Sequence, residues 1–192
     1  MKFVVALTGA SGAIYAQRLL THLVRTEAEL FVTMSAPAAR VIQEELGLKL
    51  DPHAPALDEL VPGLAARARY CDSRDVGAPI ASGSFRHDGM VIVPCSGGTL
   101  GRIASGASTD LTSRAADVCL KERRKLILVT RETPLNLIHL RNLVTLTEAG
   151  ALVLPASPSF YTRPQTVEQL VDTVVARVLD QLGVENSMPR WA

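Results

Sequence analysis

The stretch KFVVALTGASGAIYA, residues 2–16, decides the fold. Its first six residues, Lys2 to Leu7, are an apolar, β-branched run of the kind that forms a buried strand. The run stops at Thr8-Gly9, and from Gly12 onward Ile14, Leu19, Leu20, Leu23 and Val24 recur at helical spacing. A strand, a glycine turn and a helix in that order make the opening unit of an α/β protein. The turn itself is not a dinucleotide fingerprint. Gly9 and Gly12 are spaced GxxG rather than GxGxxG, and the second strand ends at Ser35 where a ribose-binding carboxylate would be needed. A Walker loop would need Gly-Lys-Ser/Thr, which is also missing. Two readings stay open: a nest of backbone N–H groups and the Ser11 hydroxyl for a phosphate or a ring edge, or a plain turn.

Outward from this unit the alternation continues. ELFVTM (29–34) reads as a strand, and Ser35-Ala-Pro opens a helix with Ser35 as its cap. Residues 47–66 read as loop plus a short helix around Leu57–Ala66, ARYC (68–71) as a strand, and 72–84 as loop. MVIVPC (90–95) is a buried strand that runs into a second glycine-rich turn, SGGTLGRIASG. A helix from Asp110 to about Arg123, a strand KLILVT (125–130), a helix Leu135–Glu148, a strand ALVLPA (151–156) and a helix Thr166–Leu182 complete the series. Continuous apolar strands alternating with helices specify one α/β unit over residues 1–192: a three-layer, Rossmann-like fold, its mostly parallel sheet covered on both faces, with a short tail from about residue 183. Ligands of such sheets sit beyond the carboxyl ends of the strands.

Composition narrows the function. The net charge of +1 offers no basic excess for a nucleic-acid backbone, so nucleic-acid binding is not expected. No segment approaches 20 apolar residues, so no membrane span is expected. The three cysteines, Cys71, Cys95 and Cys119, lie too far apart for a zinc motif, and an odd count fits a reducing cytoplasm. The four histidines have no metal spacing, and His139 reads as structural.

The strand ends carry the candidate chemistry. Ser96 and Thr99 flank Gly97 and Gly98 ahead of a helix, a second candidate anion nest. Cys95 beside them has no base partner and reads as a small buried residue. Arg131 and Glu132 follow the fifth strand, where an arginine fork would meet a phosphate. Arg114 and Lys121 are seven apart on one helix and share a face, whereas Arg123, Arg124 and Lys125 read as a basic helix end. Arg177 lies about 20° around its helix from Leu170, at the rim of the apolar stripe, so it must snorkel or meet an anion. Glu44 and Glu45 close the second helix, and periodicity does not decide which of them faces inward.

Together these residues resemble a family. LTGASGAIYA, ASGS (81–84), PCSGGTLGRIASG, the block from Leu111 to Leu143, GALVLPASPSFYTRPQTVEQLVD and the closing MPRW are similar, in order along nearly the whole chain, to flavin prenyltransferases of the UbiX/Pad type. The resemblance implies a Rossmann-like flavoprotein that binds FMN at subunit interfaces of a homo-oligomer, typically a dodecamer. It implies transfer of a dimethylallyl group from dimethylallyl phosphate to reduced FMN without a metal, at N5 and then C6. The prenylated FMN would serve a UbiD-type decarboxylase, in ubiquinone biosynthesis or aromatic-acid decarboxylation.

Carried over by position, FMN would contact Gly9, Ala10, Ser11, Ser35, the turn Ser96, Gly97, Gly98 and Thr99, and Arg131. The substrate phosphate would be held by Lys121, Arg131, Tyr161 and Arg177, with Ser82, Arg114 and Glu132 nearby. Glu45 matches a glutamate that removes a proton after ring closure, and Trp191 an aromatic that encloses the prenyl group. Fixed cations and donors are what a phosphate leaving without a metal requires. One position departs from the pattern: Gly97 stands where the usual turn has threonine.

Two other readings remain. Cysteine-conjugate decarboxylases of this fold carry a PxMNxxMW-type motif, and TPLNLIHLRNL lacks its Met-Asn and Met-Trp pairs. A non-catalytic FMN-binding subunit of an aromatic-acid decarboxylase would have no use for the Lys121, Arg131, Tyr161 and Arg177 set.

Overall fold

A computed structural model describes residues 1–187, and Trp191 lies outside them. Six strands form one sheet: β1 Lys2–Leu7, β2 Glu29–Met34, β3 Ala68–Tyr70, β4 Gly89–Cys95, β5 Leu126–Thr130 and β6 Leu152–Pro155. Their order is β3-β2-β1-β4-β5-β6 and every pairing is parallel. This is the doubly wound order of Rossmann folds, whose topological switch point lies between β1 and β4.

The helices are α1 Ala13–Leu23, α2 Ala36–Leu46, α3 Leu57–Leu60, α4 Gly97–Ala104, α5 Leu111–Lys121, α6 Leu137–Glu148 and α7 Val167–Leu182. Alternate strand residues feed two cores. Phe3, Val5 and Leu7 pack with α1, α2 and α7 on one face. Val4 and Ala6 pack with residues of α4 and α5 on the other.

Local chemistry sets the element ends. Ser35, Ser96, Asp110, Asn136 and Thr166 each cap a helix through a side-chain oxygen that accepts a backbone N–H. The structure corrects two helix limits. α3 is a single turn rather than a helix to Ala66, because Pro62 and a left-handed Gly63 (φ 82°) follow it. α6 begins at Leu137 rather than Leu135, because the capping box of Asn136 and His139 fixes its start. β4 also breaks register with β5 between Ile92 and Cys95, where Pro94 cannot donate to the ladder.

Candidate active site

Because the sheet is parallel, the turns after β1, β2, β4 and β5 all open at one edge. Thr8 joins the first to the third: its hydroxyl donates to Pro94 O (2.6 Å) and accepts from the Ser96 N–H (2.9 Å). Sequence reasoning passed over Thr8. Its signal was a hydroxyl residue between strand and glycine turn. Gly9 is fixed by packing, since a Cβ there would lie 2.4 Å from Pro37 Cβ.

Gly12, at φ 110°, is the N-cap of α1 and has no side chain to offer the first N–H groups. Glu45, from the last turn of α2, supplies the missing acceptor. Its carboxylate accepts from Gly12 N–H at 2.9 and 3.0 Å and from Ala13 N–H at 2.8 Å. Of the two glutamates left undecided by the sequence, Glu45 is thus the one bonded to the first turn, and the nest over Gly12 and Ala13 is filled by the protein itself. Arg131 closes the group, donating from Nε to Ser11 O at 3.1 Å. Glu45, the Gly9–Gly12 turn and Arg131 therefore meet at the switch point.

The second turn is self-capped. Ser96 Oγ accepts from Thr99 N–H at 3.3 Å and donates to Thr99 Oγ1 at 3.1 Å. Ser35 Oγ likewise accepts from Ala38 N–H at 3.2 Å. Among the described residues, no protein group hydrogen-bonds the Ser11 hydroxyl, the Gly97 and Gly98 N–H groups or the two terminal nitrogens of Arg131. That is a donor set suited to the polar rim and phosphate of a flavin mononucleotide. A cavity of about 410 Å³ opens beside it, lined by Cys95, Gly97, Leu100, Arg131, Glu132 and His139 among others. Burial pushes the Cys95 thiol up to about 12, so Cys95 is a packing residue and not a nucleophile.

Other candidates assemble elsewhere. Ser82, Arg114 and Lys121 surround the loop that leads into β4. Arg114 Nε donates to Ala81 O at 3.2 Å and its NH1 to Asp117 at 2.8 Å. Lys121 pairs with Glu122, and a Cβ on Gly83 would press on both of their charged ends. Lys121 ends α5 just before β5 begins, so it stands at the amino edge, opposite Arg131. Tyr161 and Arg177 flank a third space, a cavity of about 700 Å³ beside β6. The Arg177 side chain is 71% exposed and 3.8 Å from Asp180, so it reaches solvent rather than the core. One chain thus brings together Glu45, Ser11 and Arg131, and separately Ser82, Arg114 and Lys121, but it does not unite the groups.

A sheet with this switch point and a carboxyl edge rich in free donors defines a nucleotide-binding α/β protein. The family described as Flavoprotein matches residues 1–179. The curated "Flavin prenyltransferase UbiX" of Alkalihalophilus pseudofirmus is 46% identical over 188 residues, covering 97% of this chain and 94% of that protein. A crystal structure of AnUbiX (PadA1) in complex with FMN and dimethylallyl pyrophosphate is 42% identical with a TM-score of 0.89, over 100% of this chain and 97% of that one. A dodecameric FMN-dependent UbiX-like decarboxylase from Escherichia coli is 44% identical with a TM-score of 0.87, over 100% and 99% of the two chains. The chain belongs to the flavin prenyltransferase family of flavoproteins.

Proposed function

We propose that this protein transfers a dimethylallyl group from dimethylallyl phosphate to reduced FMN, making prenylated FMN for a UbiD-type decarboxylase. The observation that carries the reading is the meeting of Glu45, the Gly9–Gly12 turn and Arg131 at the switch point. It stands in a chain similar over its full length to a relative crystallised with FMN and dimethylallyl pyrophosphate.

Gly9, Ala10, Ser11, Ser35, the Ser96–Thr99 turn and Arg131 would hold FMN, which supplies the nucleophilic ring edge when bound. Lys121, Arg131, Tyr161 and Arg177 would stabilise the leaving phosphate, with Ser82, Arg114 and Glu132 beside them. Glu45 would accept the proton released on ring closure, and Trp191 would shield the prenyl group.

These residues form one site only if copies of the chain complete it. The surface supports that. α6 exposes Leu137 (60%), Ile138 (67%) and Val144 (57%), and buries only Leu146. A helix so apolar on its open face calls for cover, and a second copy provides it. The similar Escherichia coli protein is a dodecamer. The buried free cysteines Cys71, Cys95 and Cys119 fit a cytoplasmic setting. No helix among the described residues is long and apolar enough to cross a membrane.

The test mixes purified protein with chemically reduced FMN and dimethylallyl phosphate, with no metal added, and follows flavin mass. A gain of one prenyl group is expected. Unchanged flavin mass refutes the proposal.

A further inference from the structure

Beyond Ala6 and Ile92, β1 and β4 have no further pair in register, and Pro94 has no N–H to extend their ladder. The crevice at the switch point opens there, and the Thr8 side chain crosses it. Its hydroxyl donates to Pro94 O at 2.6 Å and accepts from the Ser96 N–H at 2.9 Å. The one proton of that hydroxyl and one of its lone pairs are thus both committed to the backbone around the end of β4. Among the described residues no other hydrogen bond joins residues 8–12 to residues 93–99.

Thr8 has the properties of a fixed spacer. It is 3% exposed, so water does not compete for either bond. Its β-branch restricts χ1 and so holds the direction of the hydroxyl. One partner, Ser96, is also the N-cap of α4, where its Oγ accepts from the Thr99 N–H at 3.3 Å. The bridge therefore fixes the start of α4 relative to the Gly9–Gly12 turn. Arg131 also bonds the first turn, at Ser11 O, but from a half-exposed side chain that the ligand is proposed to engage. Thr8 has no such second task.

We propose that Thr8 is a positioning residue: through its two hydrogen bonds it sets the spacing between the Gly9–Gly12 and Ser96–Thr99 turns, and with it the affinity and orientation of the flavin they hold. In this role Thr8 acts through the backbone and not on the ligand. The inference rests on the reading that these two turns hold FMN. A spacing preset in the fold spares binding the cost of ordering both turns.

Three variants test it. Thr8→Val keeps the size and branching of the side chain and deletes the hydroxyl. Thr8→Ser keeps the hydroxyl. Arg18→Ala removes the ion pair between α1 and α7 and lowers stability without touching either turn. The FMN dissociation constant, the visible circular dichroism of bound flavin and the melting temperature are measured for each and for wild type. Thr8→Val is expected to weaken FMN binding about tenfold, the effect of one lost hydrogen bond, and to change the flavin dichroism. Thr8→Ser should retain the wild-type affinity and spectrum. Arg18→Ala should melt lower with both unchanged. Thr8→Val that matches wild type in affinity and spectrum overturns the role, and so does serine that fails like valine. An equal loss of FMN in Arg18→Ala also overturns it, because stability alone then accounts for the effect. If Thr8→Val does not fold, Thr8→Ser is compared with Thr8→Ala, which differs from it by the hydroxyl alone: a gap of about tenfold supports the bridge, and equal affinities overturn it. Wild-type protein that binds FMN without prenylating it refutes prenyl transfer and leaves these comparisons to decide the role of Thr8. Wild-type protein that binds no FMN refutes both.

Discussion

Replacing Glu45 separates its structural task from its chemical one. The first N–H groups of α1 have no cap of their own, because Gly12 has no side chain. The Glu45 carboxylate meets Gly12 and Ala13 N–H groups at 2.8 to 3.0 Å. Loss of a helix cap costs about 1 kcal/mol, and removing a negative charge from a helix N-terminus adds roughly 0.3–1 kcal/mol. Glu45 is exposed, so water replaces part of what is lost, and Glu45→Ala is expected to destabilise by about 1 kcal/mol. For a chain of this size that lowers the melting temperature by roughly 2–4 °C. Glu45→Gln keeps an acceptor oxygen and loses the charge, so its shift should be smaller, about half. Differential scanning calorimetry of the three proteins, without flavin, reads the shifts. The prenyl-transfer assay then reads chemistry, and there both variants should fail alike, since neither glutamine nor alanine accepts a proton. An alanine variant that melts with wild type refutes the capping argument. A glutamine variant with full transfer refutes the role as proton acceptor.

Three other outcomes follow from the geometry. Gly9→Ala would place its Cβ 2.4 Å from Pro37, so α2 must shift, and urea unfolding should show a loss of roughly 1–3 kcal/mol; no loss would mean that α2 yields freely. Burial pushes the Cys95 and Cys119 thiols up to about 12. The native protein should therefore leave both unalkylated by iodoacetamide at pH 8. The unfolded chain ionises them from about pH 8.5, so stability should fall as pH rises above that value, and rapid native labelling would contradict the burial. Arg18 grips Asp172 through two hydrogen bonds, at 2.8 and 2.5 Å, and ties α1 to α7 with both side chains largely shielded. A double-mutant cycle with alanine should return a coupling of about 1 kcal/mol, and additive losses would show the pair to be idle.

The fold was legible because every central strand is a continuous apolar run and every long helix except α1 has a capping side chain in front of it. β4 and its turn, from Gly89 to Thr99, are readable from residue types alone. α6 was placed two residues early because leucine periodicity reaches Leu135, whereas the boundary is set by the hydrogen bonds between Asn136 and His139. At the site, sequence identified the strand-end residues but not their partners. Glu45 reaches Gly12 from 33 positions away, and the approach of His139 and Glu132 to Gly97 depends on how α6 lies against α4. Neither leaves a periodic signal. His139 read as structural because it lies on a helical face and the histidines have no metal spacing; its part in the capping box of α6 is visible only in space.

The division of the proposed site was implicit in the chain order. In a parallel sheet, a residue that ends a helix just before a strand lies at the amino edge, and one that follows the strand lies at the carboxyl edge. Lys121 precedes β5 and Arg131 follows it. The five residues of β5, at roughly 3.3 Å each, keep the two edges about 15 Å apart. A single phosphate does not span that distance. If Lys121 and Arg131 grip the same phosphate, they must come from different copies of the chain. The apolar, uncovered α6 and the edge strand β6 are where such copies have surface to bury. The fixed cations required for a metal-free departure of phosphate are then brought together by assembly, so the transfer reaction and the oligomeric state become one question.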